Sequence, residues 1–505
     1  MTAVLERPAA PSAAPREATQ ALALTEVRLL LRSPTLWVGV TLTVGLCTTW
    51  VWTWEPAWDV FTANAGMASL VLAGFLILLG HLAASRDQRH GAHESSITLP
   101  ATARRRTMAL LALVPVGGLA GAAAFGLALL ALVPAWPAGV FDPWNALVPI
   151  VLPMLGTAIG VGVGRWVPST AAGPLALFAG AAGIAVLPVL GTTADSLSWV
   201  LFPVVLEESP APGFPRPTSW HLVYLLALLA MVVAATLLRH RRLRSVLAVA
   251  LALALAVVAV QRQVDDRTPV GLATVTAAES YLVPAVQSCE RHGRVDYCAL
   301  PGYGRWVPLW RDAVEPVVSA VPSTVGDLPA VRQGIGPVTS AVIDLHWGRH
   351  GDWAAHSRIG LRQEYVRVLL GLPDWESGQR GPFAPAEQRR AAWPNGTAQV
   401  ARGPMCSGAG QLRTVVGLYL VAQAETGGRK RLDDPGGFEL GRVRFGANER
   451  AAAAKLLDAP RDQVMARLAE SWALVRSAAP VGGVLAPLGV GDLPVTGEGD
   501  ESACP

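Results

Sequence analysis

Seven runs of mostly apolar residues fill the first half of the chain: Thr35–Trp54, Phe61–Ala84, Thr107–Val133, Leu147–Trp166, Thr170–Leu190, Trp220–Leu238 and Ser245–Val260. At a rise of about 1.5 Å per residue, about 20 such residues cover the roughly 30 Å of a bilayer's hydrocarbon. Lipid offers the backbone no hydrogen bonds, so runs of this kind fold as helices that satisfy themselves. Leu197–Leu206 is apolar but too short to cross, and reads as an interfacial or re-entrant piece. From Gln263 onward charged residues, Gly and Pro recur at soluble-domain density, so the chain faces two solvents. The pooled 15% of charged residues, against about 25% in soluble domains, reflects the first of them. A net charge of +4 on 505 residues is too small to point to a nucleic-acid partner.

Orientation follows from where arginines fall, because short basic loops stay in the cytoplasm. Arg86, Arg89 and Arg104 to Arg106 follow the second run, Arg165 ends the fourth, and Arg239, Arg241, Arg242 and Arg244 follow the sixth. The alternate connections Glu55–Val60 and Pro134–Asn145 hold no basic residue, and Gly191–Ser219 holds only Arg216 beside Asp195, Glu207 and Glu208. This pattern puts the N-terminus inside and, with seven crossings, everything after about Gln261 outside. The expected divisions are a disordered cytoplasmic tail over 1–19, an interfacial amphipathic helix over 20–34, a transmembrane domain over 35–260, an exoplasmic domain over 261–492 and a flexible tail over 493–505. Residues 1–19 lack the apolar core of a cleavable signal.

Cysteine placement agrees with an exterior location, since disulfides persist in oxidising compartments. Cys47 lies in the first run, whereas Cys289, Cys298, Cys406 and Cys504 all lie in the second half. Cys289 with Cys298 is the preferred pair, because nine residues around a polar, turn-prone stretch suit a local bridge; Cys406 with Cys504 would then tie down the tail. Four reduced thiols are the alternative.

The centres of the apolar runs hold no ionisable residue, which disfavours proton or sodium coupling. Any energy must then enter from the cytoplasmic face, where two segments stand out. In Gln20–Arg32, Leu22, Leu24, Val27 and Leu29 to Leu31 are interleaved with Glu26, Arg28 and Arg32, and Pro34 stops the helix; such a segment lies along inner headgroups. The longest cytoplasmic connection, Arg86–Arg106, mixes charges with turn formers.

The element TEVRLLLRSP before the first run, followed by the pattern carried by Arg86 or His90, Gly91, Glu94, Leu99 and Pro100 ahead of Arg104 to Arg106, resembles the membrane subunit of an ABC-2 type transporter over roughly Ala21–Leu238. The resemblance implies an all-α polytopic fold with a six-span core, here extended by a seventh span and by a mostly α, minor β exoplasmic domain. It also implies that 86–106 rests on a separate ATP-binding subunit that holds ATP and Mg, and that a second permease copy or homologue completes the assembly in the lipid bilayer. This chain itself carries no cofactor in that reading. No G-x-x-x-x-G-K-[ST] occurs in it, in keeping with a permease that hydrolyses nothing. The second half is similar to domains of actinobacterial permease-like proteins.

Within that half, helices are expected over Ala273–Val286, Pro308–Ala320, Arg358–Leu370, Leu412–Glu425, Asn448–Leu457 and Arg461–Ser477, with strands over Val338–Leu345 and Phe438–Phe445. His346 and His350 have the i,i+4 spacing of zinc ligands, but Gly348 and Gly351 oppose a helix and H-E-x-x-H is absent, so no metal site is expected. Tyr303, Trp306 and Trp310 read as domain core, and Leu493–Gly497 as a chance match to a sorting signal. The function expected is a permease subunit of an ATP-driven exporter in the cell membrane. The alternative is a membrane-anchored sensor or envelope-assembly factor whose exterior domain binds a ligand or partner.

Overall fold

Proline sets the first feature of the fold. Pro34 lacks an N–H and cannot extend a helix backwards, so α1 (Pro15–Leu31) stops and α2 (Pro34–Thr53) restarts, bent by 57°. The computed structural model describes residues 15–89, 102–191, 200–205, 218–240, 243–267, 287–333, 340–343, 347–373, 406–477, 488–489 and 503–504. After α2 come α3 (Trp58–Arg89), α4 (Ala103–Leu111), α5 (Leu113–Ala131), α6 (Pro143–Trp166), α7 (Ala172–Gly191), α8 (Thr218–Leu238) and α9 (Leu243–Arg267). The break between α4 and α5 falls at Ala112, where Pro115 offers no N–H to the Leu111 carbonyl and crowds it. Asp142 starts α6 by accepting hydrogen bonds from the Trp144 and Asn145 amides, with Pro143 at the first helical position.

Each expected apolar run reappears as a helix, and α1 begins at Pro15, ahead of its expected start at Gln20. Among the described residues, five helices are long and apolar enough to cross a membrane, or six when the bent α1–α2 pair is taken as one crossing. The expectation was seven. The fifth expected run forms α7, whose described apolar stretch, Ala172–Leu187, is shorter than the others. Part of Leu197–Leu206 is described too: Val200, Phe202 and Val204 are buried, with Phe202 among Val148, Val151 and Leu222.

Small residues decide how closely these helices approach. Gly156, Gly160 and Gly164 lie one turn apart on α6 and face Ala73, Ile77 and His81, also one turn apart on α3. A Cβ at Gly156 or Gly160 would collide with the carbonyl oxygens of Ala73 and Ile77. On its other side α6 meets α5, where Gly117 and Gly121 sit against the Pro153 and Pro149 carbonyls. The glycine rows therefore serve packing within the chain, with α6 clamped between α3 and α5.

The C-terminal domain is mostly helical around two small sheets. Strands β1 (Ser288–His292) and β2 (Val295–Ala299) form an antiparallel hairpin closed by Gly293, at φ 60°, and Arg294. Parallel pairing then adds β3 (Val331–Gln333) and β4 (Ala341–Ile343) in the order β1-β2-β3-β4. Helices α10 (Val307–Val318), α11 (Gly351–Leu369), α12 (Leu412–Gln423), α13 (Gly428–Asp433), α14 (Ala447–Asp458) and α15 (Arg461–Val475) complete it, with β5 (Cys406–Ser407) parallel to β6 (Val443–Arg444). From Leu412 to Ala422 every residue of α12 is buried, so this apolar helix is the domain's core. Cys289–Cys298 bridges the hairpin at opposed positions, and Cys406–Cys504 joins positions 98 residues apart. Cys504 also donates its amide to the Ser407 carbonyl, extending the β5 edge. The expected helix Ala273–Val286 lies outside the described residues, and α11 starts at Gly351, earlier than the expected Arg358.

Gly160→Val, which forces a branched side chain into the Ile77 backbone, is expected to lower stability by about 1–3 kcal/mol, read as a reduced thermal midpoint of the detergent-purified protein. An unchanged midpoint would show that α3 and α6 can separate there freely.

Candidate functional site

The two ends of the helical bundle carry different chemistry. At the end where α1 lies, Val27 and Leu30 turn inward onto a cluster of Leu36, Leu72, Leu76, Leu110 and Leu113, while Leu24, Leu29 and Leu31 stay exposed. A helix apolar on both the protein and the outward side suits a headgroup boundary. Trp37 Nε1 donates to the Leu31 carbonyl at 2.8 Å, satisfying one acceptor that the end of α1 leaves open. Glu26 Oε1 accepts from Arg86 Nη1 at 3.2 Å, tying α1 to the end of α3. Arg28 and Arg32 are exposed. Of the expected coupling residues, Arg86 is thus placed beside Glu26, whereas Gly91, Glu94, Leu99 and Pro100 lie outside the described residues. The chain re-enters at Thr102, whose Oγ1 caps α4 by accepting from the Arg105 amide, so Arg104, Arg105 and Arg106 fill the first turn.

At the opposite end the C-terminal domain is joined to the bundle backbone to backbone. The Glu55 amide donates to the Trp347 carbonyl at 2.6 Å, and the Arg349 amide to the Thr53 carbonyl at 3.0 Å, around an antiparallel bridge of Trp54 with Gly348. The Trp58 amide donates to Ala138, the Ala138 amide to Pro56, and the Gly139 amide to Gly302 at 3.0 Å. Gly139 and Gly302 both have positive φ, 84° and 81°, and a Cβ on Gly302 would strike the Gly139 carbonyl. Tyr303 Oη donates to Asp59 Oδ1 at 2.9 Å, and Arg305 donates to the Trp136 carbonyl. Tyr303 and Trp306 are buried, so the expected aromatic core also makes the junction. Rings of Trp54 and Trp353 meet at 5.0 Å, and Trp58 meets Phe141 at 4.8 Å. Partial burial pushes the Glu55 carboxyl above the ordinary carboxylate range, opposed by the charges of Arg349, His350 and Arg305.

Sequence reading did not anticipate this junction. Asp59 and Tyr303 are 244 residues apart, and no spacing rule links them. The available signal was the pair of glycines in aromatic-rich loops. Of the two histidines at zinc-ligand spacing, His350 is exposed just before α11, on which His356 is exposed too, while His346 lies outside the described residues. No group of three metal-capable side chains occurs among the described residues. No family model, no curated protein and no solved structure matches the chain. Its geometry and sequence pattern therefore carry the functional reading.

A double-mutant cycle on Tyr303→Phe and Asp59→Ala is expected to give a coupling of about 1.5–3 kcal/mol, the range for a hydrogen bond to a charged group. Each single variant should speed amide exchange over Trp54–Trp58. Zero coupling with unchanged exchange would show that the contact does not hold the domain.

Proposed function

We propose that the chain is the permease subunit of an ATP-driven ABC-2 type exporter, coupled through residues 86–106 to a separate ATP-binding subunit that holds ATP and Mg. The observation that carries this reading is the Glu26–Arg86 pair, which links α1 to α3 where the chain leaves α3 for that connection. A partner pressing on the connection meets α3 at one flank and α4 at the other, and α1 packs against both α4 and α5. Force applied there has a short route into the bundle.

In this proposal the membrane part makes seven crossings. Trp166, ending α6, donates to Ala235 near the end of α8, so these ends lie together. The start of α8 lies at the other end of the bundle, with Leu222 beside Val148 of α6, which supports α7 as the crossing between them. That parity supports opposite faces for α1 and the C-terminal domain, and the arginine distribution is what assigns α1 to the inside in this proposal. A second copy or homologue would complete the pathway.

One observation favours a second reading, a membrane-anchored sensor or envelope-assembly factor. The C-terminal domain bonds directly to Thr53 and Glu55, at the adjoining ends of α2 and α3, so an event on that domain reaches the bundle without nucleotide.

The test is co-purification of the tagged chain from native membranes in mild detergent, with mass spectrometry and an ATPase assay. A stoichiometric ATP-binding subunit is expected, with ATPase stimulation falling about tenfold or more in Arg86→Ala combined with Glu94→Ala while the chain stays in the membrane. Recovery of envelope proteins without any ATPase would transfer the assignment to the second reading.

A further inference from the structure

Four helix ends converge beside α1, and three of them each bring an arginine to one place. His240 Nε2 lies 3.2 Å from Thr107 Oγ1, which joins the end of α8 to the first turns of α4. Trp166 Nε1 donates to the Ala235 carbonyl at 3.2 Å, joining the end of α6 to α8. Gly164 packs against His81 and Ala84 of α3. The residues next to these contacts are Arg106 on α4, Arg165 on α6 and Arg239 after α8. Arg165 lies within electrostatic reach of both other guanidinium groups, with Asp87 at the end of α3 as the opposing acid.

Like charges held together at a partly dry surface repel one another unless an anion lies between them. The hydrogen-bonding state of this cluster adds to that. The Nε atoms of Arg106 and Arg165 are buried and have no acceptor among the described residues. Neither Arg106 nor Arg165 is fully exposed, whereas Arg239 is exposed at the rim. Arg106 also sits in the first turn of α4, whose free amides add positive potential. Guanidinium groups gathered within electrostatic reach of Arg165 suit a phosphate, which can accept paired hydrogen bonds from planar donor forks. Beside the cluster Trp166 is 52% exposed, at the level where an indole marks the headgroup layer of a bilayer.

We propose that Arg106, Arg165 and Arg239 form a binding site for the phosphate of an anionic phospholipid headgroup, held between the ends of α4, α6 and α8. Arg106 ends the 86–106 connection, so the site adjoins the proposed contact with an ATP-binding subunit, but its existence does not depend on that reading. Its lipid would hold together four helix ends, including that of α3, which leads into the connection.

The test uses the full chain in mild detergent, titrated with phosphatidylglycerol or phosphatidylcholine of identical acyl chains and followed by native mass spectrometry. Phosphatidylglycerol is expected to be retained preferentially. Each interfacial basic residue contributes roughly fivefold, so R106Q/R165Q/R239Q together should weaken retention on the order of a hundredfold. R239Q alone changes an exposed side chain and is expected to weaken it about fivefold with an unaltered thermal midpoint, which separates lost binding from lost folding. Equal retention of the two lipids by the unaltered chain, or full retention by the folded R239Q and triple variants, would overturn the proposal. Displacement of the lipid by an equal concentration of inorganic phosphate would assign the site to free phosphate instead, and overturn the lipid assignment. A triple variant that keeps its lipid but loses an acidic protein partner would overturn it in favour of protein docking.

Discussion

The bundle depends on two helices that touch backbone to backbone. Gly156, Gly160 and Gly164 bring α6 so close to the Ala73, Ile77 and His81 turns of α3 that no side chain fits between them. In lipid, where apolar side chains gain little by leaving one surface for another like it, this close packing is the main source of helix association. The Pro149 and Pro153 positions, which each remove an amide from α6, lie on its opposite side against Gly121 and Gly117. One helix thus organises both neighbours, and α1, α8 and the buried 200–205 segment take their places around that frame.

Because α3 is held so firmly, its two ends become the natural points at which outside events enter. At one end Arg86 meets Glu26 and the chain runs into the 86–106 connection. At the other, Asp59 receives the Tyr303 hydroxyl, and the adjoining loop exchanges backbone hydrogen bonds with the C-terminal domain. A rigid α3 joining two such contacts gives the proposed permease a mechanical link between an ATP-driven partner and an exterior domain. The same link in reverse would serve the sensor reading, so the two readings share one structural cause.

The membrane part was legible because hydrocarbon acts on every residue of a run, and a run's length is visible without any knowledge of its neighbours. The crossing count was less so, since α7 is apolar over a shorter described stretch and α1 adds a bent partner to α2. In the C-terminal domain α12 was readable as a helix from its apolar periodicity, although burial on every side from Leu412 to Ala422 was not. The hairpin was not: β1 is exposed along nearly its whole length and shows no alternation, so its polar residues looked like a loop around Gly293. The start of α11 was hidden because Gly351, with φ 54°, seemed to forbid the helix it opens. The Asp59–Tyr303 contact had no local signature at all, being made between two domains by tertiary packing.

The central claim is that the α1 end and the C-terminal domain face opposite sides of one membrane. Substituted-cysteine labelling tests it directly, since four native cysteines are paired in disulfides and Cys47 is buried. Ala103→Cys, at the start of α4, and Glu470→Cys, on the exposed side of α15, both present a thiol to solvent. With a membrane-impermeant maleimide, Glu470→Cys is expected to label in intact cells and Ala103→Cys only after the membrane is opened. Labelling of both from the same side would contradict the seven-crossing account and the division of roles built on it.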